Sequence, residues 1–462
     1  MIRLFKHYVP HAALLLGLID FVLLMVAAEL GWLIRARQVG FPPGSLLERL
    51  PQVLSFAVPL QIALLAVGGY AAGSFLSLRF AAARLMVAVS MGVIFLSLIF
   101  FFFPDLSYWR SSLLFSMVIA VVLLVVERAL LGRTLGGDRF KRRVIVMGAG
   151  ERAAAILALA REPGSNFIVA GAIAMNEAES AVHEAIPRSA IPNLRQFVLD
   201  REASEVVLAL QERRNALPYQ DLLRVRTTGV QVYELSSFLE RQTGRIDLRS
   251  VSHSWLIFSD GFSSRRMWSG MVKRAFDIAV SLILLVVALP IILLTGIAIR
   301  LESKGPALYR QRRIGLFNEP FDILKLRSMR QDAEVAGQAV WAEKDDPRIT
   351  RVGRFIRKVR IDELPQIWSV LMGEMSFVGP RPERPQFVEQ LDQQIPFYAE
   401  RHMVKPGITG WAQLNYPYGA SIEDARHKLE YDLYYAKNYS PFLDALILLQ
   451  TLRVILWPTG AR

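Results

Sequence analysis

The sequence predicts a membrane protein built from α-helical and α/β parts, and three observations support this fold class. Four long apolar stretches occupy the first 135 residues, short β-rich runs alternate with helical patterns over residues 140–250, and a fifth apolar run follows at 275–300. The chain has 462 residues, 53% of them hydrophobic, and a mean hydropathy of +0.32. The length allows about three domains, and the hydropathy indicates that part of the chain lies in lipid.

The composition excludes several classes of protein. The formal net charge is +13, and because the basic residues alternate with apolar spans, we expect an anionic membrane face rather than nucleic acid as the partner. The chain has no Cys, which excludes disulfides, thiolate catalysis and Cys-ligated zinc. Its six His residues are scattered, so no His-based metal cluster is visible. The first apolar stretch has no small-residue cleavage site, which favours an uncleaved anchor.

Residues 1–135 are predicted to form a four-helix transmembrane anchor. The apolar stretches cover residues 12–34, 53–72, 85–103 and 113–131, each close to the 20 residues that a spanning helix needs. A basic cluster at residues 133–143 comes after the fourth stretch and places the rest of the chain in the cytoplasm. We expect no charge pairs inside the spans, and therefore an anchor without a transport role.

Residues 140–250 are predicted to form a Rossmann-like parallel α/β domain. A strand at 143–147 leads into Gly148-Ala149-Gly150, and further β-rich runs lie at 167–173, 205–210 and 229–235, with helical patterns at 194–201 and 219–227. The glycines are only part of a dinucleotide fingerprint, because Ala153 occupies the third glycine position and no ribose-binding acid follows. We expect a degenerate, structural or regulatory nucleotide-type fold, followed by an irregular segment from Ser236 to Met267. The linker to the next domain is predicted at residues 251–270.

The fifth apolar run, residues 275–300, has two interpretations that the sequence supports about equally. A straight helix from Ala275 to Ile299 would be about 37 Å long and could cross a bilayer. Basic residues flank both ends, so the charge rule gives no direction. Pro290 lies in the middle and invites a kink, from which we infer a re-entrant helix that enters one leaflet and returns. The final apolar run, residues 442–457, is too short for a span and is expected to be interfacial or packed.

The segment from Arg360 to Gln366 places two adjacent carboxylates, Asp362 and Glu363, after a strongly basic run and before Pro365. Proline favours the first turn of a helix and disfavours helical backbone in the residue before it, so Leu364 is predicted to be extended. Carboxylates among many guanidinium groups suggest phosphate chemistry. From this segment alone, a capped helix start with ion-paired surface charges is the favoured interpretation.

An ordered series of motifs over residues 271–457 gives this segment a context. The motifs are KRAFD at 273–277, GPALYRQRRIG at 305–315, KLRSM at 325–329, DPRIT at 346–350, DELPQ at 362–366, SFVGPRP at 376–382, PGITGWAQ at 406–413 and KLEYDLYY at 428–435. Together they resemble the bacterial sugar transferases, the monotopic polyprenyl-phosphate phosphoglycosyl transferases. The earlier domains resemble in architecture the large members that initiate exopolysaccharide or O-antigen assembly.

The resemblance implies that residues 271–462 form a mixed α/β catalytic domain whose re-entrant helix is broken at Pro290. It implies transfer of a sugar-1-phosphate from a UDP-sugar to undecaprenyl phosphate, with release of UMP. Asp362 would be the nucleophile, Glu363 would hold Mg²⁺, and Lys325 and Arg381 would contact phosphates. Three further site candidates are Arg327, Gln413 and Asp432. The expected location is the cytoplasmic face of the bacterial inner membrane, in contact with the lipid bilayer, and a homodimer is expected from the large relatives.

This sequence departs from the family pattern at three positions. Asn318 replaces a glycine, Leu289 stands where many members have Ser before the kink proline, and Pro417 occupies the position of an Arg found in small members. The last departure leaves the contacts to the sugar unassigned.

Three rival functions are weaker. An NAD-dependent nucleotide-sugar epimerase or dehydratase would need a complete glycine fingerprint and a Tyr-x-x-x-Lys pair in the same domain, and neither is found there. An inactive assembly scaffold would not need the intact Asp362–Glu363 pair. A flippase would need intramembrane charge pairs, which the sequence does not predict.

Overall fold

The computed structural model describes most of the chain, in two compact units. The units comprise residues 1–4 with 8–242, and residues 5–7 with 243–462. The described residues are 2–4, 7–9, 11–42, 44–70, 78–135, 141–175, 181–210, 217–251, 259, 262, 267–330, 348–417, 419 and 421–456. Most of the predicted linker at 251–270, and the first two residues of the DPRIT motif, lie outside them.

The first unit begins with helices that match the four apolar stretches. Two short strands, β1 (Ile2–Leu4) and β2 (His7–Val9), precede α1 (His11–Val39), α2 (Leu46–Ala66), α3 (Leu78–Phe102) and α4 (Arg110–Leu135). Helix α1 packs against α2 and α4, and α3 packs against the same two helices. Together with one helix of the second unit, Met267–Glu302, the described residues contain five helices that are long and apolar enough to cross a membrane. The protein is therefore a membrane protein, as the hydropathy predicts.

The prediction that the spans contain no charge pairs is wrong. Arg128 of α4 donates to both oxygens of Asp20 of α1, at 3.1 and 2.7 Å, and Asp20 is fully buried. The Tyr70 hydroxyl donates to Asp20 at 2.7 Å, and a second pair joins Arg49 to Glu29. The partners lie on different helices, so no pattern within one span could reveal them.

The rest of the first unit is a parallel five-stranded sheet, which confirms the predicted α/β class. The elements are β3 (Arg142–Met147), α5 (Glu151–Arg161), β4 (Phe167–Ala174), β5 (Ile186–Pro187), α6 (Leu194–Asp200), β6 (Glu205–Leu208), α7 (Tyr219–Arg226) and β7 (Gln231–Glu234). The strand order is β5-β4-β3-β6-β7, and every pair is parallel. Helices cover both faces, which is why Val144 to Met147 of the central strand are all buried.

Two details of this sheet bear on the sequence interpretation. Gly148 has φ +129°, and a Cβ there would lie 2.8 Å from the carbonyl oxygen of Ala209, so the close approach of the chain after β6 requires glycine. The segment after β7 was expected to be irregular, but it begins with helix α8 (Leu235–Thr243). Phe238 of α8 is fully buried against Phe167, with ring centroids 5.1 Å apart. This packing stabilises a helix that the sequence pattern did not indicate.

The second unit surrounds a core of aromatic and aliphatic side chains that includes Tyr398, Trp411, Tyr434 and Tyr435. Tyr431 packs against the same core, so Tyr431, Tyr434 and Tyr435, which are three and four residues apart, share one face of their helix. The elements are α9 (Met267–Glu302), β8 (Leu308–Ile314), β9 (Pro320–Leu326), α10 (Arg351–Lys358), α11 (Gln366–Met372), β10 (Ser376–Val378), α12 (Pro385–Gln394), β11 (Gly407–Thr409), α13 (Trp411–Asn415), α14 (Ile422–Asn438) and α15 (Pro441–Leu456). Strands β8 and β9 form an antiparallel hairpin, and β10 pairs with β11 in parallel.

Helix α9 contains the fifth apolar run and continues through Pro290 as one helix, so the expected break at this residue is not found. At its beginning, Arg274 donates to the carbonyls of Val370 and Leu371 at the end of α11, at 2.7 and 2.6 Å. At its other end, Glu302 accepts from the backbone N–H groups of Arg351 and Val352, the first residues of α10, at 2.8 and 3.0 Å. Both ends of α9 are therefore held by the same unit.

Candidate active site

The acidic pair lies on a tight turn that the backbone holds in an uncommon conformation. Arg360 has φ 62° and ψ 19°, a left-handed conformation that costs a non-glycine residue energy and is enriched at functional sites. A 3₁₀ turn at Ile361–Glu363 comes next and runs into α11 through Pro365. Leu364 has φ −55° and ψ −37°, so the prediction that it is extended is wrong. Its N–H donates to the Ile361 carbonyl at 3.1 Å, and the continuous turn outweighs the local preference.

Three cations surround the carboxylate of Glu363. Arg381 donates to Glu363 Oε1 at 2.8 Å, and the Arg360 and Lys325 nitrogens lie 3.6 and 3.9 Å from the same oxygen. Burial acts to raise the pKa of Glu363, but Arg381, Lys325 and Arg360 outweigh it and lower that pKa to about 2. Glu363 is therefore ionised and electrostatically compensated at neutral pH.

Asp362 differs from its neighbour. Its Oδ1 atom is buried and has no hydrogen-bond partner among the described residues. Burial, followed by the charge of Glu363, raises the pKa of Asp362, while Lys325, Arg360 and Arg357 oppose the increase. One carboxylate of the pair is thus paired with cations, and the other presents an oxygen that is available to a ligand.

Lys325 reaches the pair from the second strand of the hairpin. In β9 it is cross-strand neighbour to Tyr309 of β8, and its side chain is mostly buried. Burial and the nearby Arg381 lower the pKa of Lys325 to about 8, although Glu363 and Asp362 partly offset them. At pH 7 Lys325 is a poorly solvated cation, so contact with a second anion would stabilise it.

The backbone of Arg381 is held by a member of a buried ion pair. Arg401, whose side chain is 6% exposed, donates to the backbone carbonyl of Arg381 at 3.0 Å and forms an ion pair of 2.7 Å with Asp432. Its other terminal nitrogen donates to the Tyr398 hydroxyl at 2.6 Å. Asp432 thus acts through Arg401 on the segment that carries Arg381. Arg401 could not be recognised from the sequence, since nothing in its local pattern distinguishes it from a surface arginine.

The other two predicted residues lie in different surroundings. The buried guanidinium of Arg327 donates to the carbonyls of Lys304 and Ser303, at 2.7 and 2.8 Å, and to the Ser303 hydroxyl at 2.9 Å. It fastens the chain after α9 to the end of β9. Gln413 is exposed on the short helix α13. The structure therefore brings Asp362, Glu363, Lys325 and Arg381 together, while the contacts of Arg327 and Asp432 are to other protein groups.

The donor set of the acidic pair fits a magnesium ion that completes its shell with phosphate oxygens. The described residues include no group of three or more His, Asp or Glu side chains that could hold a metal. Mg²⁺ commonly takes one or two protein carboxylates together with waters and substrate phosphates, and it needs no larger cluster. Within the described part of the chain, the carboxylate of Glu363 could supply such a ligand, and it would place the ion next to the unpartnered Oδ1 of Asp362.

Comparison with known proteins finds relatives of two parts of the chain. The model of the bacterial sugar transferase family matches residues 268–458, and that of a CoA-binding domain family matches residues 65–226. The chain is 44% identical over 241 residues to a UDP-N-acetylgalactosamine-undecaprenyl-phosphate N-acetylgalactosaminephosphotransferase of Aeromonas hydrophila, an alignment that covers 52% of this chain and 56% of that one. It is 42% identical over 191 residues to an undecaprenyl-phosphate glucose phosphotransferase of Komagataeibacter xylinus, covering 40% of this chain and 36% of that one.

A shorter relative is matched over most of its length. The chain is 42% identical over 193 residues to a UDP-glucose:undecaprenyl-phosphate glucose-1-phosphate transferase of Caulobacter vibrioides, which covers 41% of this chain and 71% of the relative. The matched residues contain the acidic pair and the cations around it. On these grounds the chain belongs to the bacterial sugar transferase family.

Proposed function

We propose that this protein transfers a sugar-1-phosphate from a UDP-sugar to undecaprenyl phosphate and releases UMP, as the first membrane step of exopolysaccharide or O-antigen synthesis. The observation that carries the proposal is the contrast within the acidic pair. Glu363 is compensated by three cations, while Asp362 keeps a buried oxygen without a partner among the described residues. A pocket with excess cations and one uncommitted carboxylate suits attack by that carboxylate on a phosphate.

The reaction proceeds in two displacements at one phosphorus atom. Asp362 Oδ1 attacks the sugar-bearing phosphorus of the UDP-sugar, and the bond from this phosphorus to the bridging oxygen breaks. UMP leaves with that oxygen, and the sugar phosphate remains on Asp362 as an acyl phosphate. An oxygen of undecaprenyl phosphate then attacks the same phosphorus, which releases the Asp362 carboxylate and forms the undecaprenyl diphosphate sugar. No proton transfer is needed, because both nucleophiles react as anions.

The surrounding side chains bind the diphosphate and stabilise its developing charge. Lys325 and Arg381 face the carboxylates from β9 and from the segment after β10, and both can move their contacts from Glu363 to phosphate oxygens. Mg²⁺, held by Glu363, would supply further neutralisation of the diphosphate.

We further propose that α9 is re-entrant and does not span the bilayer. Its beginning is held by α11 and its end by α10, and α11 packs against β9 of the same unit. Ile299 near the end of α9 is buried with Leu326 of β9. One compact unit cannot lie on both sides of a membrane, so both ends of α9 belong on one face. The exposed middle of α9, including Val286 and Leu294, would enter the lipid from that face.

The positions of the two substrates and of the basic residues favour the cytoplasmic face of the bacterial inner membrane. A UDP-sugar reaches the site from water, and the phosphate of undecaprenyl phosphate lies at the level of the lipid headgroups. The basic cluster after the fourth apolar stretch favours a cytoplasmic position for the remainder of the chain. Homodimer formation stays a prediction.

An assay of UMP release tests the chemistry. Purified full chain with Mg²⁺, undecaprenyl phosphate and each of several UDP-hexoses should release UMP with at least one of them, and Asp362→Asn should abolish turnover. Asp322→Asn is the matched control, because Asp322 lies on β9 with a half-exposed side chain that pairs with Arg312 at 3.4 Å. Full turnover by Asp362→Asn would refute the nucleophile assignment. Mass spectrometry of quenched enzyme should find the phosphosugar on the peptide that contains Asp362.

Cysteine labelling tests the path of α9 separately. The chain has no native Cys, so single cysteines at Arg249 and Lys304, both exposed, bracket the helix. A membrane-impermeant maleimide should label both in inverted vesicles and neither in intact spheroplasts. Labelling of the two positions from opposite sides would make α9 a span.

A further inference from the structure

One end of the four N-terminal helices contains an open cleft that neither the proposed chemistry nor the family match explains. The cleft has a volume of about 600 Å³ and is lined by Arg35, Val39, Tyr108, Trp109, Arg110 and Ser111. It lies where α1 ends and α4 begins, at the opposite end of α4 from the sheet. The lining includes two arginines and, among the described residues, no acidic side chain.

Buried hydrogen-bond donors without partners surround this cleft. The Tyr108 side chain is 9% exposed, and its hydroxyl is buried with no partner among the described residues. Arg35, which also lines the cleft, has a buried Nε atom without a partner among the described residues. Three further buried donors without such a partner belong to residues near the lining residues, either in the structure or in the sequence. These are Trp32 Nε1, Arg49 Nη1 and Ser112 Oγ.

Ring contacts connect two of these donors, Trp32 and Arg49, to the lining of the cleft. Trp32 stacks on Trp109 of the lining with centroids 5.1 Å apart, and the Arg49 guanidinium lies 5.9 Å from the Trp32 ring. Glu29, the carboxylate beside this group, is already paired with Arg49. Buried donors are rarely left unsatisfied in native proteins, so five donors in one place, with cations in excess, indicate an anionic ligand.

The number of donors favours a phosphate over a carboxylate. A carboxylate offers two oxygens, whereas a phosphate monoester offers three terminal oxygens and carries more charge. The guanidinium group of arginine can donate to two phosphate oxygens at once. The N-terminal end of α4 adds backbone N–H groups, and its helix dipole favours an anion.

The surroundings indicate that a lipid carries this phosphate. Val39, which lines the cleft, is 51% exposed, and Leu114 and Val118 continue an exposed apolar face along α4. We propose that the cleft binds the phosphate headgroup of a membrane lipid whose chains lie along this face. This lipid site shares no residue with the acidic pair, and the proposal does not depend on the chemistry at Asp362.

Lipid binding to the purified full chain tests the proposal. Native mass spectrometry in detergent should detect one tight equivalent of dioleoyl phosphatidic acid and no comparable binding of dioleoyl phosphatidylcholine. Arg35→Gln with Arg110→Gln should weaken that equivalent by at least about tenfold, because two charge-assisted contacts are lost. Arg37→Gln is the matched control, since Arg37 is exposed at the same end of α1 but does not line the cleft.

Tyr108→Phe provides a variant that should not fail to fold. Without phosphatidic acid it should melt at the same or a higher temperature than the parent, because it removes an unsatisfied buried hydroxyl. It should nevertheless bind phosphatidic acid several-fold more weakly. Equal binding by the parent and the double arginine variant, or an equal loss with Arg37→Gln, would overturn the proposal. Complete displacement of the lipid by millimolar inorganic phosphate would assign the cleft to a free anion and overturn its assignment to a lipid.

Discussion

Replacing Asp432 with Asn is expected to destabilise the second unit strongly, because it leaves a buried guanidinium without its counter-ion. The side chains of Arg401 and Asp432 are 6% and 3% exposed and lie 2.7 Å apart. Burial raises the pKa of Asp432 to about 6, against the effect of Arg401, so the carboxylate is ionised at pH 7 and the pair is charged. Asparagine keeps the shape of the side chain and removes the charge.

The size of the effect follows from the burial of the pair. Removing one partner of a buried ion pair typically costs roughly 3–5 kcal/mol. For a unit of this size, each kcal/mol corresponds to about 2–4 °C in melting temperature, so the loss should be roughly 6–20 °C. Differential scanning fluorimetry of the detergent-solubilised protein at pH 7.5 measures it. Asp392→Asn, at an exposed position on α12, should change stability by less than about 0.5 kcal/mol.

A double variant separates the stranded charge from other effects. Arg401→Met combined with Asp432→Asn removes both charges and should recover a substantial part of the lost stability. It should not recover activity, because Arg401 also donates to the Arg381 carbonyl, and that support is gone. A fall of less than about 2 °C in Asp432→Asn, or no recovery in the double variant, would refute this account of the pair.

Three further predictions concern the acidic pair and the helices. Below pH 8 Lys325 is protonated, so kcat/KM should fall as the pH rises above about 8, and Lys325→Arg should flatten that limb of the pH profile. Arg360→Gly should raise stability by about 0.5–1 kcal/mol, because it relieves the left-handed backbone, and should lower UMP release because a cation beside Glu363 is lost. Gly31→Ala should lower the melting temperature, because its Cβ would lie 2.6 Å from the backbone nitrogen of Ser116. Gly270→Ala, with open space around it, should not lower it.

The fold was predictable from the sequence where consecutive residues form one continuous apolar run. The runs that became β4 and β6 are apolar because helices cover both faces of the sheet, and the apolar stretches that became α1 to α4 are equally continuous. Helix α8 was missed, because its stability depends on Phe238 packing against Phe167, which lies 71 residues earlier in the sequence. Leu364 was predicted to be extended from its neighbour Pro365, and a turn formed by other residues outweighed that preference.

The site was predictable only in part, for a related reason. Asp362 and Glu363 are adjacent, and the ordered motifs bring Lys325 and Arg381 into the same prediction. Arg401 could not be found this way, since its role depends on a carboxylate 31 residues later and on a backbone carbonyl 20 residues earlier. The intramembrane pair of Asp20 and Arg128 is separated by 108 residues and is equally invisible to a local pattern.

The electrostatics of the acidic pair distinguish two similar side chains and support the proposed role of Asp362 as the nucleophile. A carboxylate with a pKa of about 2, held by Arg381, is a weak nucleophile, because basicity and nucleophilicity fall together. Asp362 has a raised pKa and an oxygen unpaired among the described residues, so it is the more basic of the two. Adjacent carboxylates raise each other's pKa, and the cations that suppress this effect at Glu363 leave it in place at Asp362. Exchanging the two residues would therefore put the longer side chain at the reactive position and the shorter one among the cations. We expect that exchange to lose UMP release even though the composition of the pocket is unchanged.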